Sequence, residues 1–266
     1  MSQSDPRLTQ VVEYMKSHWP SQVRDEWQVD LTEYPVIAKQ IIKDLTGGKT
    51  TSRNLIRIAG LSGSGKTTQL LPATEIFFQR KSLRPVLVAA RVFVPYHPHY
   101  QAIKDFYGEE NLRKMTDEFS TIMMFLCLTE LIKAGYDIIL DVTLLDPTIE
   151  KILVDMLETG KYHARILLIA AAPEVTEKHL ASRPWRHTKE TEAEFIRATS
   201  RALEFYATNC PEMNIVIWNT YDEDPVYDGP VANAVDVFEK YSEITDIPPH
   251  DENALRQAKI DYLKTK

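Results

Sequence analysis

The chain has 266 residues, 44% of them hydrophobic, and carries a formal net charge of −7 with a pI near 5.6. This supplies enough apolar material for an α/β domain with an appendage and excludes disorder over most of the length. The acidic balance argues against a broad nucleic-acid surface and leaves room for a local basic pocket that takes a small anion.

Residues Met1 to Arg7 are polar, and no secretory apolar core or run of membrane-spanning length follows them. A soluble protein of the reducing cytoplasm is expected, with delivery to another cell by a route lacking such a signal left open. From there to about residue 50, Val11, Val12, Tyr14 and Met15, then Val36, Ile37, Ile41 and Ile42, recur at helical spacing, which predicts two or three short helices. Gly47-Gly48-Lys49-Thr50-Thr51-Ser52 reads as a helix stop and connector. The expected organisation is a helical segment over 1–50, a core over 51–230 and C-terminal helices over 231–266.

The core alternates: strand 55–59, helix 66–80, strand 85–90, helix 114–134, strand 137–141, helix 147–159, strand 164–170, helices 173–181 and 189–208, and strand 214–218. Such alternation predicts an α/β fold, a doubly wound parallel sheet with helices on both faces. Phe119, Ile122, Met123 and Leu126 share a helical face and read as core. Cys127 falls in the same apolar stretch, and nothing pairs it with Cys210. After the turn at Tyr221-Asp222-Glu223-Asp224-Pro225, two helices are expected around Ile247-Pro248-Pro249. The second, Asp251 to Lys266, has alternating charge and reads as a docking or solvated helix.

The strongest chemical signal is Gly60-Leu61-Ser62-Gly63-Ser64-Gly65-Lys66-Thr67, followed by Thr68, directly after the apolar run Leu55 to Ala59. It fits the phosphate loop G-x-x-x-x-G-K-[ST] at every fixed position. Glycines let successive backbone N–H groups turn in around phosphate, and the following helix directs its positive end at the same anion. Lys66 is expected on the β- and γ-phosphates of ATP and Thr67 on Mg²⁺. Asp141 and Thr143 close the strand Tyr136 to Leu140, where ligands of such sheets bind, so both are expected to face the phosphate loop. Asp141 is a candidate catalytic and metal-binding acid; its alternative, capping the next helix, suits Asp146 before Pro147 better. Arg183 and Arg186, between two helices, are candidate lid residues that clamp the transferring phosphoryl group.

Taken together, these residues resemble the zeta-toxin family of P-loop small-molecule kinases, the toxin halves of epsilon/zeta toxin–antitoxin systems. The resemblance rests on Gly60 to Thr68, His97-Pro98-His99-Tyr100, Asp141-Val142-Thr143, Ile169-Ala170-Ala171-Ala172-Pro173-Glu174, Arg183 and Arg186, and Val226-Tyr227-Asp228, covering about residues 53 to 228. It implies ATP-dependent phosphorylation of a nucleotide sugar, typically the 3′-hydroxyl of UDP-N-acetylglucosamine, which starves peptidoglycan synthesis. It also implies a helical antitoxin partner that covers the ATP site. Arg91, His97, Tyr100 and Thr143 are then candidate substrate-binding residues.

The chain departs from that family in several places. Similar toxins carry an Asp-Gly-Asp-Ser-Phe-Arg type segment before the His-Pro-His-Tyr, and its second Asp is the expected general base. Here Val88-Ala89-Ala90-Arg91 puts Arg91 in its place, and a guanidinium cannot accept the substrate's proton. Asp141 is the nearest substitute by sequence. Leu145 stands where the family has an Arg, and the two lid arginines are closer together than expected. A pseudokinase that binds nucleotide, or a kinase for another small molecule, are therefore the alternative readings. His97 and His99 lack further metal-ligand spacing and suit a turn or substrate rim better than a metal. Tyr96 and Tyr100 would stack on a base or pack. Residues 1–50 would either inhibit in cis, hinged at Gly47-Gly48, or extend the packing of the core.

Overall fold

The computed structural model describes residues 6–18, 21–144, 146–181 and 189–266. Two N-terminal helices, α1 (Pro6–His18) and α2 (Tyr34–Thr46), precede β1 (Asn54–Gly60). A wide helical turn at Lys66–Leu70 runs into α3 (Leu71–Arg80), and β2 (Val86–Val88) follows. Four helices then come in succession: α4 (Ala90–Phe93), α5 (Tyr100–Tyr107), α6 (Glu109–Met115) and α7 (Asp117–Ala134). The rest of the core comprises β3 (Ile138–Asp141), α8 (Pro147–Gly160), β4 (His163–Ala170), α9 (Pro173–Leu180), α10 (Lys189–Asn209), β5 (Asn214–Asn219) and β6 (Tyr227–Pro230). Helices α11 (Val235–Ser242) and α12 (Glu252–Lys264) end the chain.

The strands form one sheet in the order β2-β3-β1-β4-β5-β6. Pairings among the first five are parallel, and β6 runs antiparallel to β5. This is the α/β fold that the alternation predicts. Because side chains alternate along a strand, β1 sends Ile56 and Ile58 to the face covered by α3 and α12, and Leu55 and Ala59 to the other. The chain leaves β1 toward β2 and leaves β4 toward β5, so the neighbouring strands β1 and β4 diverge and open a crevice at their carboxyl ends.

Three details correct the sequence-based expectations. Strand 85–90 stops at Val88, because Ala89 turns the chain and Ala90-Arg91 begin a helix. Helix 114–134 is two helices, broken at Thr116 (φ −105°, ψ 9°), whose hydroxyl bonds back to the Leu112 carbonyl at 2.9 Å. The edge strand β6 is polar and lacks the alternation that would reveal it. In the N-terminal segment, Val11, Val12, Met15, Tyr34, Ala38 and Ile41 belong to the same buried cluster as Val86, Ile138 and the inner face of α7, the packing extension that was one of its two readings. At the other end, α12 buries Leu255, Ile260 and Leu263, the last two against Leu70, Leu71 and Phe78 of the phosphate-loop helix.

Candidate active site

At the carboxyl end of β1 the chain must turn sharply beneath β4. A Cβ on Gly60 (φ +134°) would lie 2.7 Å from the Ile169 carbonyl oxygen, and one on Gly65 (φ +104°) 2.9 Å from Gln69 Nε2. Only glycine fits either place. Lys66 folds back over the loop and donates from Nζ to the carbonyls of Gly60 (2.6 Å) and Leu61 (2.7 Å). Thr67 and Thr68 are exposed at the start of the helix, whereas Ser64 is buried, with its hydroxyl unpartnered.

The loop forms one wall of a cleft of about 670 Å³. Gly60, Ser62, Gly63, Gly65, Lys66, Thr67 and Thr68 line it together with Arg91, Asp141 and Thr143. The Ser64 side chain is buried and does not line it, so any part this residue takes in holding phosphate falls to its backbone. Arg113, Lys114, Asp117, Glu118 and Thr121 form the far wall, and Ser21 and Gln22 reach its rim from the N-terminal segment. Strand register sets Asp141 level with Ile58, two residues before Gly60.

Asp141 is ion-paired with Arg91; the carboxylate is 3% exposed and the guanidinium 36%. The carboxylate expected to substitute as base is thus engaged by the arginine that stands in the base's place. The Thr143 hydroxyl is buried without a partner, and its backbone is held from behind by Arg57. That guanidinium donates to the carbonyls of Val142 (3.2 Å) and Thr143 and to both carboxylate oxygens of Glu150, and Glu150 also accepts from the Tyr206 hydroxyl at 2.7 Å. A lone charge inside the apolar run Leu55 to Ala59 was the available signal: a parallel strand buried on both faces cannot hold it without a buried partner.

His179 is a second residue that sequence reasoning passed over. Its Nδ1 lies 2.7 Å from the Gly63 carbonyl and its Nε2 2.9 Å from the Tyr221 hydroxyl. A carbonyl only accepts, so Nδ1 donates to Gly63, and with the Tyr221 contact the ring ties the phosphate loop to the residues just past β5.

His97 and Tyr100 do not line the cleft, against the expectation that they bind substrate. His97 is 4% exposed, its ring 4.6 Å from Phe119 in an edge-on contact, and its Nδ1 accepts the His99 N–H at 3.1 Å. Burial pushes its pKa down to about 4, so it is a neutral core residue. Tyr100 packs beside Val94, Ile103 and Leu112. Arg183, Arg186 and Leu145 lie outside the described residues.

The oxygen donors at the cleft, the Thr67 hydroxyl and the Asp141 carboxylate, are of the kind Mg²⁺ takes, and a cation of that sort usually keeps several waters. Among the described residues no cluster of three His, Cys, Asp or Glu forms a metal cage.

The sequence profile of the zeta toxin family matches residues 42–230. Toxin PezT of Streptococcus pneumoniae serotype 4 is 29% identical over 137 residues, 51% of this chain and 52% of that protein, so the chain spans about half the length of this relative. The structure of the PezAT chromosomal toxin–antitoxin system of Streptococcus pneumoniae is similar over 91% of this chain and 100% of the matched one, with a TM-score of 0.65 at 21% identity. The AvrRxo1-ORF1:AvrRxo1-ORF2 complex with sulphate ions is similar over 97% of this chain and 86% of the matched one, at TM-score 0.53 and 13% identity. The same pair with ATP reaches 0.50 at 11% identity, over 98% and 85%. At these identities the structural likenesses concern the fold.

Proposed function

The chain belongs to the zeta toxin family, whose members are kinases, and from that premise we propose that it is an ATP-dependent kinase phosphorylating a hydroxyl of a nucleotide sugar such as UDP-N-acetylglucosamine. The observation that carries this reading is that a complete phosphate loop shares one cleft of about 670 Å³ with Arg91, Asp141 and Thr143. ATP phosphates would displace the Gly60 and Leu61 carbonyls from Lys66, which then balances the charge at the β- and γ-oxygens. Thr67 and, through water, Asp141 would hold Mg²⁺, which when bound supplies further positive charge to the phosphate oxygens. Thr143 would meet the acceptor through its unpartnered hydroxyl, and Arg91, released from Asp141, would meet the acceptor's own phosphates. Arg183 and Arg186 would close over the transferring group. Catalysis by these parts consists of positioning and charge stabilisation.

The PezAT and AvrRxo1 neighbours are each described with a partner protein, which supports an antitoxin partner here. Cis-inhibition by residues 1–50 lacks such support, since those helices are built into the core. The Arg91–Asp141 pair favours one further reading, a protein that binds nucleotide and turns it over slowly or not at all.

The test is Mg·ATP turnover followed by mass spectrometry against UDP-sugars and common nucleotides, with Lys66→Ala as control. A phosphorylated product from wild type that disappears in Lys66→Ala supports the kinase. Tight ATP binding without product from any acceptor selects the impaired alternative.

A further inference from the structure

Among the described residues, four carboxylates line the cleft: Asp117, Glu118, Asp141 and Glu252. Transfer to a hydroxyl calls for one that takes up the acceptor's proton and is not already neutralised. Arg91 closes Asp141. Glu118 accepts the backbone N–H of Ser21. Glu252 stands exposed on the first turn of α12.

Asp117 differs from all three. The break at Thr116 makes it the first residue of α7 instead of a mid-helix position, and Thr116 is 1% exposed, so the turn that aims Asp117 at the cleft is fixed in the core. Among the described residues no hydrogen bond reaches its carboxylate, and burial outweighs the opposing effect of Arg113, pushing its pKa up to about 6. A carboxyl sheltered in this way is the kind of group that serves as a base near neutral pH.

Resting on the kinase reading above, we infer that Asp117 is the proton acceptor of the transfer. An acceptor hydroxyl lying between Asp117 and the nucleotide gives its proton to an Asp117 carboxylate oxygen as its own oxygen bonds to the γ-phosphorus. The bond from that phosphorus to the β–γ bridging oxygen breaks, and the electron pair leaves with ADP. Asp117 shares the cleft with Arg113 and Lys114 from α6, Arg91 from α4, Asp141 from β3, Lys66 from the loop, and Glu118 on its own helix. Arg91 and Asp141 offset one another, so the surplus near Asp117 is cationic and keeps its charged form accessible at neutral pH.

The experiment measures kcat from pH 5 to 8 with saturating Mg·ATP and UDP-N-acetylglucosamine, alongside affinity for a fluorescent ATP analogue, in wild type, Asp117→Asn, Asp117→Glu and Asp141→Asn. The expected wild-type rate rises with pH through an inflection near 6. Asp117→Asn loses about 10²- to 10⁴-fold in kcat and loses the inflection, with ATP affinity kept; Asp117→Glu retains activity with a displaced inflection. Wild-type kcat in Asp117→Asn, or an inflection that disappears in Asp141→Asn alone, overturns the role of Asp117 while leaving the kinase intact. A wild type that binds the analogue and phosphorylates nothing overturns the kinase reading, and the assignment with it.

Discussion

Buried charge decides most of what single residues do in this molecule. Arg57 and Glu150 are 2% and 1% exposed, and each has the other as its chief compensation. Removing one partner leaves the second uncompensated, which is far worse than replacing both. Arg57→Ala is expected to lower stability by about 3–5 kcal/mol, read by urea unfolding, and to loosen the Val142–Thr143 backbone. Lys259 on α12 is fully buried, donating to the Asp222 carbonyl at 2.9 Å, and burial pushes its ammonium down to about 8 from 10.5. Above pH 10.5 it is neutral whether the chain is folded or not. Between 10.5 and 8 the unfolded chain takes up the proton and the folded one does not, and below 8 both hold it, so the deficit is complete. Stability from this residue therefore falls by about 3 kcal/mol as pH drops through that window. The difference in unfolding free energy between wild type and Lys259→Met, measured from pH 7 to 10.5, should change in that sense; a constant difference would show that the amine titrates normally.

Elements were legible in the sequence wherever burial was two-sided. The continuous apolar runs of β1, β3, β4 and β5 declared themselves because a central parallel strand meets helices on both faces. The edges did not. β6 reads Tyr-Asp-Gly-Pro, and β2 shrinks to three residues because Ala90-Arg91 favour helix once edge pairing stops. The break at Thr116 was hidden by a helical pattern that runs straight through it, since the buried hydroxyl that makes it is visible only once Leu112 is in place. At the site, the phosphate loop was legible from spacing alone. The Arg91–Asp141 pair was not, because fifty residues separate its members and only the register of β2 beside β3, with Val88 level with Leu140, brings them together. His97 misled for a related reason: a polar residue in a recognisable motif is not thereby exposed, and here Phe119 covers it.

Across the whole molecule, the N-terminal helices contribute to the core of the sheet. Each large apolar side chain they bury contributes roughly 1.5–3 kcal/mol, and several sit against the sheet's own cluster, so deletion of residues 1–48 would uncover more than a domain's usual margin of stability. The expected outcome is an insoluble or molten product by circular dichroism and gel filtration; a folded truncation with raised turnover would restore the inhibitory reading. The two rims of the sheet have a consequence of a different kind. A row of unsatisfied backbone groups along an outer strand is the usual template for chains to zip together into aggregates. Here one rim is a three-residue stub and the other runs against its neighbour and ends in Pro230, which has no N–H to offer. A protein fenced in this way can accumulate to high concentration without recruiting its copies strand to strand.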